Sequence, residues 1–211
     1  MRMSEGLPNA LRAVAAALET PVILALLLFM AAAVFLLGSL IAELFTERRR
    51  LRAKLPELAD KLRAPEADIP AVIADSGLLR RQRAALTELT RHASLTPPMR
   101  EALAMRLVQA ERARYENITR VSDLLAKLGP MFGLLGTLIP LGPGIIALGR
   151  GDTYTLSLSL LTAFDTTIAG LIAAAAAFVI SAVRKKWYSG YMQSLEMVMT
   201  CVLEVENEKQ V

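Results

Sequence analysis

The chain has 211 residues, enough for one or two domains, and 54% of them are hydrophobic although 21% are charged. Its mean hydropathy of +0.43 is high for a soluble globular protein, and its single cysteine, Cys201, excludes an intrachain disulfide. The net charge of +4 comes from basic residues that flank apolar runs, which favours a membrane protein over a nucleic-acid-binding one.

The first 43 residues predict a surface helix followed by a membrane span. Residues 1–20 carry leucines and a valine at helical spacing, which is typical of an amphipathic helix at the membrane interface. Residues 21–43 form an apolar run close to the ~20 residues that a span requires. The basic cluster at residues 47–54, ERRRLRAK, follows this run, so we expect the N-terminus outside and the cluster in the cytoplasm.

Residues 44–127 predict a cytosolic helical domain that holds 17 of the 24 lysines and arginines. Residues 76–93 read as one amphipathic helix. A long helix is predicted to begin after Thr96 and to continue into the second span, because prolines in a first turn cost little. Basic residues beside a span favour contact with anionic lipid at the cytosolic face, and we expect no nucleic-acid partner.

Two further spans are predicted, at residues 128–149 and 156–183, joined by a short outer loop at 150–155. The sequence RKKWY begins a cytosolic C-terminal helix at residues 184–211. The predicted fold class is therefore an all-α integral membrane protein with three transmembrane helices and long cytosolic helical extensions, multi-pass in a prokaryotic cytoplasmic (inner) membrane, with its C-terminus in the cytosol.

The second span is rich in glycine and proline. Gly129 and Gly133 form a small-xxx-small pair that permits close helix approach, and Gly136 and Gly170 are further candidates for such contacts. The prolines of this span free backbone carbonyls, which must be satisfied by protein or by water at membrane depth. Two interpretations remain open: a kinked, tightly packed structural helix, or a helix that lines a conduit.

The third span contains an acid, Asp165, although an acid at the bilayer centre costs roughly 2.5–3.5 kcal/mol on insertion scales. Thr167 shares a helical face with small residues, and Asp165 lies roughly 160° from Thr167 but about 60° from Thr162. Thr166 completes the polar set. Thr167 could line a pore or bond its own helix, and Asp165 could face a neighbouring helix or be a neutral acid bonded to adjacent hydroxyls.

Two motifs resemble those of the MotA/TolQ/ExbB proton-channel family, most closely its TolQ/ExbB branch. GPMFGLLGTL at residues 129–138 is similar to the Gly-Leu-Phe-Gly-Thr motif of that family's second span. TAFDTTIAGL at residues 162–171 is similar to the Glu-Ala-Leu-x-Ala-Thr-x-x-Gly-Leu motif of its third span. The family's glutamate falls on Thr162 here, Asp165 stands where the family is usually apolar, and Pro140 replaces a common glycine.

The resemblance implies a channel or stator subunit of an ion-driven membrane motor. It implies a homo-oligomer, expected to be a pentamer, around a single-span ExbD/TolR/MotB-like membrane protein with an intramembrane aspartate. Thr137 and Thr167 would line the ion path, whereas Asp165, Thr162 and Thr166 would tune it. The transported ion is open between proton, the default, and sodium.

A structural membrane scaffold that oligomerises and presents a basic cytosolic domain is the rival interpretation, although a scaffold would not need the intramembrane Asp165-Thr-Thr set. The sequence has no Ser/His/Asp set, no Cys/His cluster and no phosphate-binding glycine loop. We therefore expect no enzyme activity, no catalytic residues, no metal and no cofactor.

Overall fold

The computed structural model describes residues 3–45, 55–64 and 68–208. Six helices follow one another in this part of the chain: α1 (Met3–Glu43), α2 (Leu55–Arg63), α3 (Ile69–Asp75), α4 (Arg80–Arg91), α5 (Pro97–Gly149) and α6 (Thr153–Glu208). No strand occurs among these described residues, and α1, α5 and α6 are each long and apolar enough to cross a membrane. The predicted fold class, an all-α membrane protein, is confirmed.

The two longest helices continue well beyond their apolar parts. α5 begins directly after Thr96 and runs for 53 residues through Pro130, Pro140 and Pro143 without ending. α6 runs for 56 residues. Proline inside a helix removes one backbone hydrogen bond, but membrane helices tolerate it when neighbouring groups satisfy the freed carbonyl. The prediction of one long helix from Thr96 into the second span is confirmed.

Helix α1 has no break at residue 20, where the sequence predicts a change from surface helix to span. It runs continuously to Glu43, because the alanine-rich stretch before Pro21 is a strong helix former. The placement of residues 1–20 at the membrane surface remains a prediction. The basic cluster at residues 47–54 lies outside the described residues, so the cytoplasmic placement built on it also remains a prediction.

The described chain divides into two compact units. The first unit comprises Met1–Ser39 and Arg120–Ala182, which are most of α1, the second half of α5 and the first half of α6. In it, α1 buries Val22, Leu26 and Ala33, spaced at helical intervals, and its Phe29 meets Phe132 of α5 edge to face with ring centroids 5.2 Å apart. The opposite face of α1 exposes large apolar side chains, as a lipid-facing helix does.

The second unit comprises Leu40–Thr119 and Val183–Val211. Its hydrophobic core is formed by α2, α3 and α4 with the first half of α5 and the second half of α6, and includes Leu62, Leu86 and Val202, which are fully buried. Arg100 is also buried, and its guanidinium donates to Glu206 Oε2 at 3.1 Å. Because a buried charge is costly unless it is paired, this ion pair fixes the start of α5 against the end of α6.

The connection between α5 and α6 is shorter than the loop predicted at residues 150–155, because α6 begins at Thr153. Gly151 adopts a φ of +74°, which a residue without Cβ reaches at no steric cost. Asp152 then accepts hydrogen bonds from the amide and the hydroxyl of Thr155, which is the usual way to satisfy a free helix N-terminus. Residues 150–152 therefore form the turn and the cap, and the last three residues of the predicted loop belong to the first turn of α6.

Candidate functional site

Helices α5 and α6 meet in the first unit along a stripe of small residues. The buried positions recur every three or four residues, so one face of each helix is turned to the other. On α5 the stripe consists of Gly129, Gly133, Gly136, Pro140 and Gly144, and on α6 of Ala163, Thr166, Gly170, Ala174 and Ala177. Thr166 is the one polar side chain in this stripe, so the helices approach almost backbone to backbone.

Three of the glycines leave no space for a side chain at this contact. A methyl group on Gly136 would lie 2.6 Å from Thr166 Cβ, and one on Gly129 would lie 2.8 Å from the carbonyl oxygen of Gly170. One on Gly170 would lie 2.6 Å from the carbonyl oxygen of Gly129. An ion with its oxygen ligands does not fit between helices this close. Any ion path therefore lies outside the contact between α5 and α6 of one chain.

The hydroxyls of the four threonines predicted to line or tune the ion path donate to carbonyls of their own helices. Thr137 donates to Leu134 at 2.7 Å, Thr167 to Ala163 at 3.0 Å and Thr162 to Leu158 at 3.1 Å. The Thr166 hydroxyl lies between two carbonyls, those of Thr162 and Ala163. Of the two interpretations of Thr167, the structure contains the back-bonded hydroxyl. Each oxygen keeps lone pairs that can accept a hydrogen bond from water or from another chain.

Thr137 and Thr167 lie at the margin of the small-residue contact, and both are half-buried. A methyl group on Gly133 would lie 3.6 Å from the Cα of Thr167, and Thr137 is one turn beyond Gly133 on α5. Phe132, which meets α1, is turned about 140° from Thr137 on the helical wheel. We call the side of the helix pair that bears Thr137 and Thr167 the threonine edge. Helix α1 packs on the other side of α5.

The small face that Thr167 borders is covered by α5 of the same chain. Ala163, Gly170 and Ala174 are buried in that contact. Because the glycines of α5 occupy this face, it is closed to a helix from another chain. A helix from another chain would reach Thr167 only along the threonine edge.

Asp165 stands apart from the other polar residues of the third span. Its side chain is exposed among exposed apolar side chains, including Leu161, Phe164 and Ile168. Within the described residues it makes no hydrogen bond with the adjacent threonines, whose hydroxyls bond backbone carbonyls instead. The structure thus brings Thr166 against Gly136 but leaves Asp165 on an outer face of the unit.

Two polar pairs were not singled out from the sequence. The Ser181 hydroxyl donates to Asp123 Oδ1 at 2.5 Å and joins α6 to α5 within the first unit. In the second unit, Arg184 donates to Glu43 Oε2 at 3.2 Å, with both side chains largely buried, and joins α6 to the end of α1. Each residue taken alone is an ordinary polar or charged residue of a helix, so only the pairing distinguishes them.

The fold and this arrangement together define a multi-pass helical membrane protein with polar groups at membrane depth. The MotA/TolQ/ExbB proton channel family matches residues 74–197, which is more than half of the chain, and the chain belongs to this family. Members of the family form oligomeric channel complexes with partner proteins, in motors or in complexes that energise transport. The match does not distinguish the TolQ/ExbB branch from the others. No curated protein matches the chain.

Proposed function

We propose that this chain is the channel and stator subunit of a membrane motor driven by an ion gradient, with the proton as the transported ion. Five copies form a ring in the inner membrane around a single-span partner of the ExbD/TolR/MotB type, which carries an intramembrane aspartate. The N-terminus lies outside and the C-terminal helix in the cytosol. The likeness of both motifs to the TolQ/ExbB branch supports this assignment.

The observation that carries the proposal is the outward position of polar groups at membrane depth. Asp165 is exposed on the isolated chain, and Thr137 and Thr167 lie at an edge that α1 does not cover. Polar groups within a bilayer face a bundle interior, a cavity or another chain, because lipid cannot satisfy them. A ring covers both regions, whereas a single copy would leave them in hydrocarbon.

In this proposal Thr137 and Thr167 line the ion path. Because their hydroxyl hydrogens are used within the helices, their oxygens act as acceptors toward water or toward the protonated carboxyl of the partner. Asp165 lies on another side of α6, so it tunes the path through its charge at the contact between neighbouring copies. Thr166 and Thr162 tune it by setting the spacing and direction of α6.

Replacing Thr167 with valine tests the role of its hydroxyl, because valine keeps the shape. The complex, isolated from its native membrane through a tag on this chain, is reconstituted in liposomes that contain a pH-sensitive dye. We expect Thr167→Val to lower proton flux at least tenfold without changing the mass of the complex. Asp165→Asn should leave partial flux with a shifted pH dependence.

Thr200→Val is the matched control, since Thr200 lies on the same helix and also donates to a backbone carbonyl, that of Glu196, but belongs to the second unit. It should conduct like the parent. If Thr167→Val conducts normally while Asp165→Asn is inactive, Asp165 carries the ion and the roles are reversed. If the assembled parent complex conducts no ion, the scaffold interpretation replaces the channel.

A further inference from the structure

The hydrogen bond between Ser181 and Asp123 is a built polar contact between α5 and α6. Ser181 is 3% exposed and donates its hydroxyl to Asp123 Oδ1. Gly129 continues the helix contact six residues beyond Asp123, so the pair lies at one end of the small-residue stripe.

The pair stands in register with the two threonines of the proposed ion path. Asp123 precedes Thr137 by 14 residues on α5, and Ser181 follows Thr167 by 14 residues on α6. Two residues that are fourteen positions apart on a helix point in directions that differ by about 40° and lie about 21 Å apart along the helix axis. Because Asp123 and Ser181 face each other, both pairs lie along the threonine edge, at two levels about 21 Å apart.

A freed carbonyl lies along the same edge. Pro130 has no N–H, so the carbonyl of Ala126 cannot accept the usual helical bond, and Ala126 is one turn beyond Asp123 on the side toward Thr137. Between the two levels the edge is otherwise apolar, with Pro130, Leu171 and Phe178 exposed. Water in the ring, or the partner helix, would have to bridge this stretch.

We propose that the Asp123 carboxylate is the proton acceptor at the cytosolic end of the ion path, with Ser181 as its positioning residue. This inference rests on the proposed function and on its topology. A proton that passes the Thr137 and Thr167 level moves through water along the threonine edge and forms an O–H bond with the carboxylate of Asp123. It then leaves to cytosolic water and regenerates the carboxylate, while the Ser181 proton stays on its own oxygen and keeps the acceptor aimed.

The lysines and arginines near Asp123 in the described part of α5 and α6 do not titrate near neutral pH. Within about one turn, α5 contributes Arg120 and Lys127, and α6 contributes Arg184 and Lys185 beyond Ser181. Helix α1 has no charged residue between Pro21 and Ala42, and the carboxylate of Glu43, at its end, is paired with Arg184. Lysine and arginine lose their protons only above about pH 10. A response of the flux to cytosolic pH below about pH 10 would therefore not come from these cations.

The test compares Asp123→Asn, Asp123→Glu and Ser181→Ala in the native complex reconstituted in liposomes, with pH varied on the cytosolic side. Asparagine can still accept the Ser181 hydrogen bond, so the complex should assemble with its normal mass. We expect Asp123→Asn to lower proton flux about tenfold or more at the same proton gradient and to change the shape of its dependence on cytosolic pH. Asp123→Glu should restore most of the flux, and Ser181→Ala should conduct with a shifted pH profile.

Asp152→Asn is the matched control, because it also removes a carboxylate that accepts a hydroxyl hydrogen bond, but at the opposite end of the helix pair. It should keep the flux and the pH profile of the parent. If Asp123→Asn matches the parent in both readouts while Thr167→Val is inactive, the inference fails and the proposed function stands. If Asp123→Asn and Ser181→Ala both stop assembly or lose flux equally at every pH, the pair is a structural clamp and the inference also fails. A parent complex that conducts no proton overturns both.

Discussion

Adjacent threonines in the third span have different surroundings because one residue turns a helix by about 100°. Thr166 points into the contact with Gly136 and is buried, whereas Thr167 is half-buried at the edge. Both hydroxyls donate to carbonyls of α6, so neither needs a partner to be stable in an apolar environment. The two threonines differ in whether another molecule can reach the lone pairs of the hydroxyl oxygen. This access depends only on the direction in which each side chain points.

Asp152 shows how one side chain fixes a helix start. Hydrogen bonds from the Thr155 hydroxyl and from the Thr155 amide hold the pKa of the Asp152 carboxyl below its usual value of 3.8. Because the pKa is lowered in the folded state, the carboxylate stabilises the helix start above about pH 3.8, and this contribution is lost as the pH falls further.

We expect Asp152→Ala to speed amide hydrogen exchange in the first turn of α6, because the Thr155 amide loses its acceptor. Hydrogen–deuterium exchange of the detergent-solubilised protein, followed at residues 153–157, measures this effect. Asp152→Asn keeps an acceptor oxygen and should behave like the parent. Equal exchange in the alanine variant and the parent at pH 6 would mean that the cap does not hold this turn.

Helix α5 contains glycines that would weaken an isolated helix, but its close contact with α6 requires them at some positions. Each glycine costs up to about 1 kcal/mol of helix propensity relative to alanine, yet Gly129 and Gly136 permit contacts that no other residue would. Gly142 has no atom within 4 Å of the position that a methyl group would occupy. The same residue type therefore has a packing role at some positions of one helix and none at another.

Gly136→Ala should destabilise the helix pair by about 1–3 kcal/mol, the usual cost of overpacking, because its methyl group would lie 2.6 Å from Thr166 Cβ. Thermal unfolding of the detergent-solubilised protein measures this change. Gly142→Ala on the same helix should be neutral or slightly stabilising. Adding Thr166→Ala to Gly136→Ala removes Oγ1 and Cγ2, which would lie 2.7 and 3.1 Å from the new methyl group, and should recover part of the loss although Cβ stays. If the double variant is no more stable than the single one, these two atoms do not cause the loss.

At the scale of the whole molecule, the chain exposes an acidic side chain on an apolar helix face that is expected to lie within the membrane. The exposed face of α6 carries Asp165 between Phe164 and Ile168, whereas the exposed face of α1 is apolar around Phe35. An acid in hydrocarbon is costly, but phenylalanine in hydrocarbon is not. Another copy should therefore cover α6, and lipid should cover α1.

We expect the detergent-solubilised complex to have the mass of a closed ring, with five copies as the family-based number. In a Cys201→Ala background, Ile168→Cys should form disulfide-linked dimers between copies on mild oxidation. Phe35→Cys, at an even more exposed apolar position on α1, should not. A stable monomer, or efficient cross-linking only through position 35, would contradict this arrangement of the helices.

The sequence by itself determined the three apolar helices, the run of α5 through its prolines and the family, because hydropathy and short motifs are local properties of the chain. Only the tertiary structure decided which face of α6 meets α5, and it thereby turned Asp165 outward and closed the small face beside Thr167. It also paired Asp123 with Ser181 across 58 positions of sequence. A helical wheel gives the angle between two residues but not the direction of a neighbour. That direction is set here by glycine contacts between two helices, which no local pattern contains.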